Sequence, residues 1–191
     1  MNTASGNQES GSKLIGRYVN KVDEKGRTFL PAAMRPYIHS LWGAKPDLVL
    51  AVMGFDRCLV LVDRKAWFTH QAKLNQLDWM DEDAAQLRRL ASLAEDCRLD
   101  QQGRIALPQF LREFAQLSDE VMFVGCVDYI ELWNPKNAQT NLEELFGSAR
   151  AVISRVRARQ EEAARLAAGN VAAGGVAAGG VAAGGQKEEG R

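Results

Sequence analysis

Only three cysteines and two histidines occur in 191 residues, and that scarcity closes off several kinds of protein at once. Cys58, Cys97 and Cys126 are odd in number, far apart and set in apolar stretches. They are expected to be small buried hydrophobes in a reducing cytosol rather than a disulfide frame. His39 and His70 join no Cys/His cluster with the ligand spacing of a zinc site, so no metal or other cofactor is expected. Net charge is lacking as well, with 24 basic residues against 24 acidic. That balance excludes a polycation that coats nucleic acid indiscriminately, but leaves room for a local basic patch. The chain has no Gly-x-Ser-x-Gly elbow, phosphate-cradling glycine loop or Cys-His pair. Neither an enzyme nor a small-molecule substrate is therefore expected. Long hydrophobic runs are missing too. The one uncharged stretch of membrane length, Leu166–Gln186, is Ala and Gly with a few Val and with Asn170 inside it, too weakly apolar to insert. The polar start, Met1–Ser12, lacks the basic-then-apolar pattern of a signal peptide. The expected location is cytoplasmic.

What the chain does contain is an internal repeat. Val22-Asp23-Glu24-Lys25-Gly26-Arg27-Thr28-Phe29-Leu30-Pro31 recurs 77 residues later as Leu99-Asp100-Gln101-Gln102-Gly103-Arg104-Ile105-Ala106-Leu107-Pro108. The agreement continues, Met34-Arg35 matching Leu111-Arg112 and Cys58-Leu59-Val60-Leu61 matching Tyr129-Ile130-Glu131-Leu132. Each copy reads as strand, tight turn, strand, short helix and two-strand hairpin. Pro31 and Pro108 suit the first helical position, where a missing N–H costs nothing. Pro36 forces the first-copy helix to kink or start late.

The spacing gives six segments: a disordered extension 1–12, repeat 1 over 17–64, linking helices over 65–92, repeat 2 over 93–136, a helix over 141–168 carrying Arg150, Arg155, Arg157 and Arg159, and a low-complexity tail 169–191. Val-Ala-Ala-Gly-Gly occurs three times in that tail. So many glycines carry too high an entropy cost for a stable helix, and the tail is expected to be disordered.

Asp at the first position and Gly at the fourth of Asp-x-x-Gly-Arg suit a type I turn closed by a left-handed residue. Asp23, Gly26, Asp100 and Gly103 are therefore expected to build turns, each carboxylate capping its own backbone. Beyond the turn, side chains alternate, so Thr28, Leu30, Ile105 and Leu107 point to one face and Arg27, Phe29, Arg104 and Ala106 to the other. The first copy is locally basic, with Lys13, Arg17, Lys21, Lys25, Arg27, Arg35 and Lys45 against Asp23 and Glu24. A tip presenting Lys and Arg suits phosphates and guanine edges, which makes Lys21, Lys25, Arg27 and Arg104 candidate contacts to double-stranded DNA, Arg104 being equally readable as a barrel-stabilising partner of a nearby carboxylate. Arg35 and Arg112, inside the Pro-led helices, read as structural ion-pair partners.

The two Asp-x-x-x-Arg motifs, each followed by a Pro-led helix and an apolar hairpin, resemble the MraZ family over roughly Leu14 to Leu145. Each half resembles the wider AbrB/SpoVT family. The resemblance implies an α+β fold, a swapped-hairpin AbrB-like β-barrel made by the two repeated halves, with accessory helices. It also implies homo-oligomeric rings and transcriptional regulation at direct repeats ahead of the division and cell-wall gene cluster, including the protein's own gene, in association with the nucleoid. The family's DNA-contacting tip maps onto Lys25 and Arg27. In the second copy Arg104 matches, but Gln102 stands where a basic residue would strengthen binding. An AbrB-like antitoxin that regulates its own operon and a structural ring scaffold are the alternatives.

Overall fold

A computed structural model describes residues 14–52 and 56–174, with Val52 and residues 168–174 as backbone only. The expected N-terminal extension, Lys13 and the greater part of the expected tail lie outside the described residues. The chain forms two units, one ending at Asn141 and the other beginning at Leu142.

In the first unit each repeat supplies four strands or strand-like arms and one short helix. The first gives β1 (Arg17–Lys21), β2 (Arg27–Phe29), α1 (Arg35–Trp42), β3 (Leu48–Val52) and β4 (Cys58–Asp63). Two linking helices follow, α2 (Arg64–Gln71) and α3 (Glu82–Ala91), with one 3-10 turn between them at Leu74–Gln76. The second repeat gives β5 (Glu95–Cys97), β6 (Arg104–Ala106), α4 (Gln109–Phe114), β7 (Glu120–Cys126) and β8 (Tyr129–Trp133). The linking helices start where a side chain can cap them. Asp63 accepts from the Lys65 N–H at 3.0 Å and Asp81 from the Ala84 N–H at 2.7 Å, satisfying donors that the first turn leaves open.

The repeats do not stack as separate hairpins; they exchange strands. A six-stranded antiparallel sheet runs β1-β7-β8-β4-β3-β5. β1 of the first repeat lies on β7 of the second, Tyr18 opposite Phe123. Reciprocally, β5 of the second lies on β3 of the first, Leu48 opposite Cys97. The centre is β4 against β8, with Leu61 opposite Ile130. The strands either side of each turn therefore part company; in the first copy one isolated bridge, Val22 to Thr28, joins the two arms. β2 instead pairs with β6 in a two-stranded ribbon. Because β1 and β5 end the large sheet and the ribbon stands apart, the described residues form an antiparallel α+β arrangement without a closed hydrogen-bonded barrel.

Alternation along these strands, with Leu30 just beyond β2 and Leu111 on α4, fills one shared core. Leu30, Leu50, Leu59 and Leu61 of the first repeat and Ile105, Leu111, Phe123, Ile130 and Leu132 of the second are fully buried in a single cluster. Burying each such side chain contributes about 1.5–3 kcal/mol, so neither repeat keeps its apolar face covered without the other. Cys58 and Cys97 are buried and Cys126 is half-buried. Burial pushes the Cys97 thiol up to about 12 and raises that of Cys58 as well.

Helix α1 begins only at Arg35, so Pro36 occupies its first turn, where it displaces no hydrogen bond. The late start is the expected accommodation, without a kink. Helix α5 (Pro135–Gly174) starts earlier and ends later than the expected 141–168. The side chain of Asn134 accepts from the Lys136 N–H at 2.9 Å and caps it, with Pro135 at its first position. No described helix is long and apolar enough to cross a membrane.

Candidate nucleic-acid interface

Both Asp-x-x-Gly-Arg segments close as the spacing demands. In the first, the Gly26 N–H donates to the Asp23 carbonyl at 2.8 Å, and the Asp23 N–H to the Arg27 carbonyl at 2.8 Å. In the second, Gly103 donates to Asp100 at 2.9 Å and Asp100 to Arg104 at 2.8 Å. Gly26 and Gly103 have φ of 72° and 80°, the left-handed region that an L side chain resists.

The aspartates tie backbone to guanidinium. Asp23 Oδ1 accepts from the backbone N–H groups of Lys25 at 3.0 Å and Arg27 at 2.9 Å, and its Oδ2 accepts from Arg27 Nε at 2.8 Å. Asp100 repeats this on Gln102 and Arg104, at 2.9 Å, 2.9 Å and 2.8 Å. The Arg27 side chain, donating to it first, and then the Arg27 backbone N–H hold the Asp23 carboxyl below its ordinary 3.8. For Asp100 the backbone N–H of Arg104 is the larger cause, with the guanidinium adding to it.

The ribbon has a buried face of Thr28 and Ile105, opposite one another, and an outer face of Arg27, Phe29, Arg104 and Ala106. The outer face is not symmetric. Arg104 stands across from Phe29 and lies over its ring, 5.9 Å from the centroid, a favourable cation–π placement. Arg27 stands across from Ala106, which has no ring to cover it. The Arg27 side chain is accordingly 34% exposed and that of Arg104 21%. Lys25 is exposed at the first tip, with no ion-pair partner among the described residues. Lys21 is placed differently: it belongs to the edge strand β1, in register with Glu120 of β7, rather than to the ribbon.

Each tip also receives an arginine from the other repeat. Arg112 Nε donates to the Leu107 carbonyl at 3.1 Å, and a Cβ built on Gly26 would stand 2.8 Å from that Nε. Arg35 Nε donates to the Leu30 carbonyl at 3.1 Å, and a Cβ on Gly103 would stand 3.1 Å from its Cζ. Backbone bonds close the lattice, Leu107 N–H to the Gly26 carbonyl at 2.8 Å and Leu30 N–H to the Gly103 carbonyl at 3.1 Å. The ion-pair role expected for Arg35 and Arg112 is therefore replaced by a carbonyl bond and a seat under the opposite turn. Their signal in the sequence is position, four residues after Pro31 and Pro108. Asn20, which donates from its side chain to the Phe29 carbonyl at 2.7 Å, carries no signal in the sequence, and alternation places Phe29 on the outer face without its role under Arg104.

Comparison with known proteins decides the kinship. The chain is 37% identical to the transcriptional regulator MraZ of Roseiflexus castenholzii over 137 residues, 71% of this chain and 91% of that protein. The chain belongs to the MraZ family. The MraZ of Herpetosiphon aurantiacus is 37% identical over 146 residues, 76% of this chain and 97% of the relative. That of Caldicellulosiruptor saccharolyticus is 38% identical over 132 residues, 69% of this chain and 87% of the relative. The family model, described as "MraZ protein, putative antitoxin-like", matches residues 90–151. In this MraZ-family chain that span holds the second tip, α4, the β7–β8 hairpin and the start of α5.

Proposed function

We propose that this MraZ-family chain is a sequence-specific, non-enzymatic regulator of transcription that binds double-stranded DNA through the β2–β6 ribbon and the Asp23-to-Arg27 tip. The observation that carries the reading is the state of Arg27. Asp23 engages Nε and Nη2 of its guanidinium, which fixes the plane of the group, and an arginine has further N–H donors to spare. Held so on the outer face of a ribbon, Arg27 is suited to the major groove, which admits a two-stranded β-ribbon and presents O6 and N7 of guanine as a bidentate acceptor. Lys25 holds phosphate beside it. Arg104, stacked on Phe29, and Lys21, opposite Glu120, add charge at longer range. The relatives' name, transcriptional regulator, agrees with this chemistry.

In the same reading, residues 17–64 and 93–136 are two AbrB-like half-domains related by swapped hairpins, and 65–92 links them. The target is a set of direct repeats upstream of the division and cell-wall gene cluster, including the chain's own gene. A homo-oligomeric ring presents several tips at once, so that weak single contacts add through effective concentration. The work is done in the cytoplasm, at the nucleoid.

The test is a gel-shift titration on DNA upstream of the protein's own gene, at fixed salt because phosphate contacts are salt-dependent. The wild-type chain should prefer that DNA to a scrambled duplex. Arg27→Ala should lose the preference, since one bidentate guanine contact is worth about 1–3 kcal/mol and the loss recurs at every engaged tip. Wild-type affinity in Arg27→Ala at unchanged assembly size would refute the site.

A further inference from the structure

The two tips share one backbone and differ in chemistry. Gln102 leaves the second turn where Lys25 leaves the first: its N–H donates to Asp100 Oδ1 at 2.9 Å, that of Lys25 to Asp23 Oδ1 at 3.0 Å, and a left-handed glycine follows each. Like Lys25 it is exposed, and its side-chain amide makes no hydrogen bond among the described residues. Arg104 is engaged by the ribbon itself, its Nε on Asp100 and its guanidinium over Phe29. The second tip therefore offers a groove an amide, with a donor and an acceptor side by side, where the first offers donors alone. The two are close along the ribbon. Lys25 to Phe29 is four residues, Phe29 stands across from Arg104, and Arg104 to Gln102 is two. At 3.3 Å per residue the tips lie at most about 20 Å apart, within the roughly 34 Å of one duplex turn.

We propose that Gln102 is a specificity-determining residue, and that the second tip reads adenine where the first reads guanine. A carboxamide matches the adenine edge, its oxygen accepting from N6–H2 while its NH2 donates to N7. On guanine, whose edge shows the acceptors O6 and N7, the same oxygen would face an acceptor. Arg27 has the opposite preference, since a guanidinium carries donors only. The proposal rests on the reading of the ribbon as the DNA-binding element and adds a direction to it. Two like tips, related by the near-symmetry of the repeats, would read a site equally well from either end. With guanine under one tip and adenine under the other, the ribbon has one preferred orientation, and copies on direct repeats all point the same way.

Selection of duplexes from a random-sequence pool by the full chain reads both tips at once. The wild type should enrich a motif that holds a guanine and, within about six base pairs at 3.4 Å each, an adenine. Gln102→Ala should keep the guanine and lose the adenine, discrimination at that one position falling by about fivefold to 150-fold, the range for one bidentate base contact. Gln102→Arg should turn that adenine into guanine and leave the other positions as they were. Two failures are distinct. A wild-type chain that enriches no motif, or a motif whose guanine survives Arg27→Ala, refutes the ribbon as the reading head and this proposal with it. A motif that depends on Arg27 but is the same for the wild type, Gln102→Ala and Gln102→Arg overturns the role of Gln102 alone.

Discussion

Arg112 and Gly26 belong to different repeats, yet the guanidinium of one occupies the space that a side chain on the other would need. Gly26→Ala should therefore lose stability on three counts, a left-handed φ that alone costs about 1–3 kcal/mol, displacement of Arg112, and a Cβ 2.9 Å from the Leu107 carbonyl oxygen. In a double-mutant cycle followed by chemical denaturation, Gly26→Ala should couple to Arg112→Ala, because removing the guanidinium relieves the second count. It should add independently to Arg35→Ala, which serves the other turn. Strict additivity with Arg112→Ala would show that the two residues do not share that space.

Arg104 is expected to serve stability first and DNA only in consequence. Its guanidinium joins Asp100 to Phe29 across the ribbon, so Arg104→Ala should lower the melting temperature, while Arg27→Ala, opposite Ala106, should change it less. A cation–π contact of this exposure is worth about 0.5–1 kcal/mol. Phe29→Ala should reproduce the stability loss, and in that background Arg104→Ala should cost less. Equal melting temperatures for the wild type, Arg104→Ala and Phe29→Ala would contradict the stacking.

Thr28 is fully buried opposite Ile105, and its hydroxyl finds no hydrogen-bond partner among the described residues. An unmet buried hydroxyl is costly, whereas an apolar group of the same shape is not. Thr28→Val should raise stability by about 1 kcal/mol, measured by denaturant midpoint at constant slope. A loss would reveal a partner for the hydroxyl.

The turns should also confer an acid sensitivity of known sign. Asp23 and Asp100 have folded carboxyls held below the ordinary 3.8. A carboxylate depressed by folding adds stability that is complete above its unfolded pKa and is lost as pH falls through the folded one. The stability gap between wild type and Asp23→Asn should thus be constant from neutral pH to about 5 and shrink below about 4. A gap that persists undiminished at pH 2 would mean that the carboxylate's charge is not what secures the turn.

Much of this architecture can be read from spacing. The turn at Asp23-to-Arg27, its copy at Asp100-to-Arg104 and the alternation that turns Arg27 outward are local properties, set by backbone sterics within a few residues. Strand partnership is not local. Periodicity says which face Tyr18 takes but not that Phe123 lies beside it, because any apolar strand of matching phase satisfies the same pattern. Arg35 and Arg112 show the limit for side chains: a guanidinium donates equally well to a carboxylate or a carbonyl, and only the fold supplies the carbonyls of Leu30 and Leu107. The asymmetry of the outer face was visible as Phe29 against Ala106, but its effect on Arg104 required knowing that β2 lies on β6.

That exchange of strands within one chain has a genetic consequence. Two identical half-domains meeting as separate molecules share one coding sequence, and any substitution at one tip is imposed on the other. Here the tips are encoded apart, so Lys25 can coexist with Gln102 and Phe29 with Ala106. Mutation can retune one tip while its twin stays constant, and the pair can diverge in task without either repeat losing the strand it borrows.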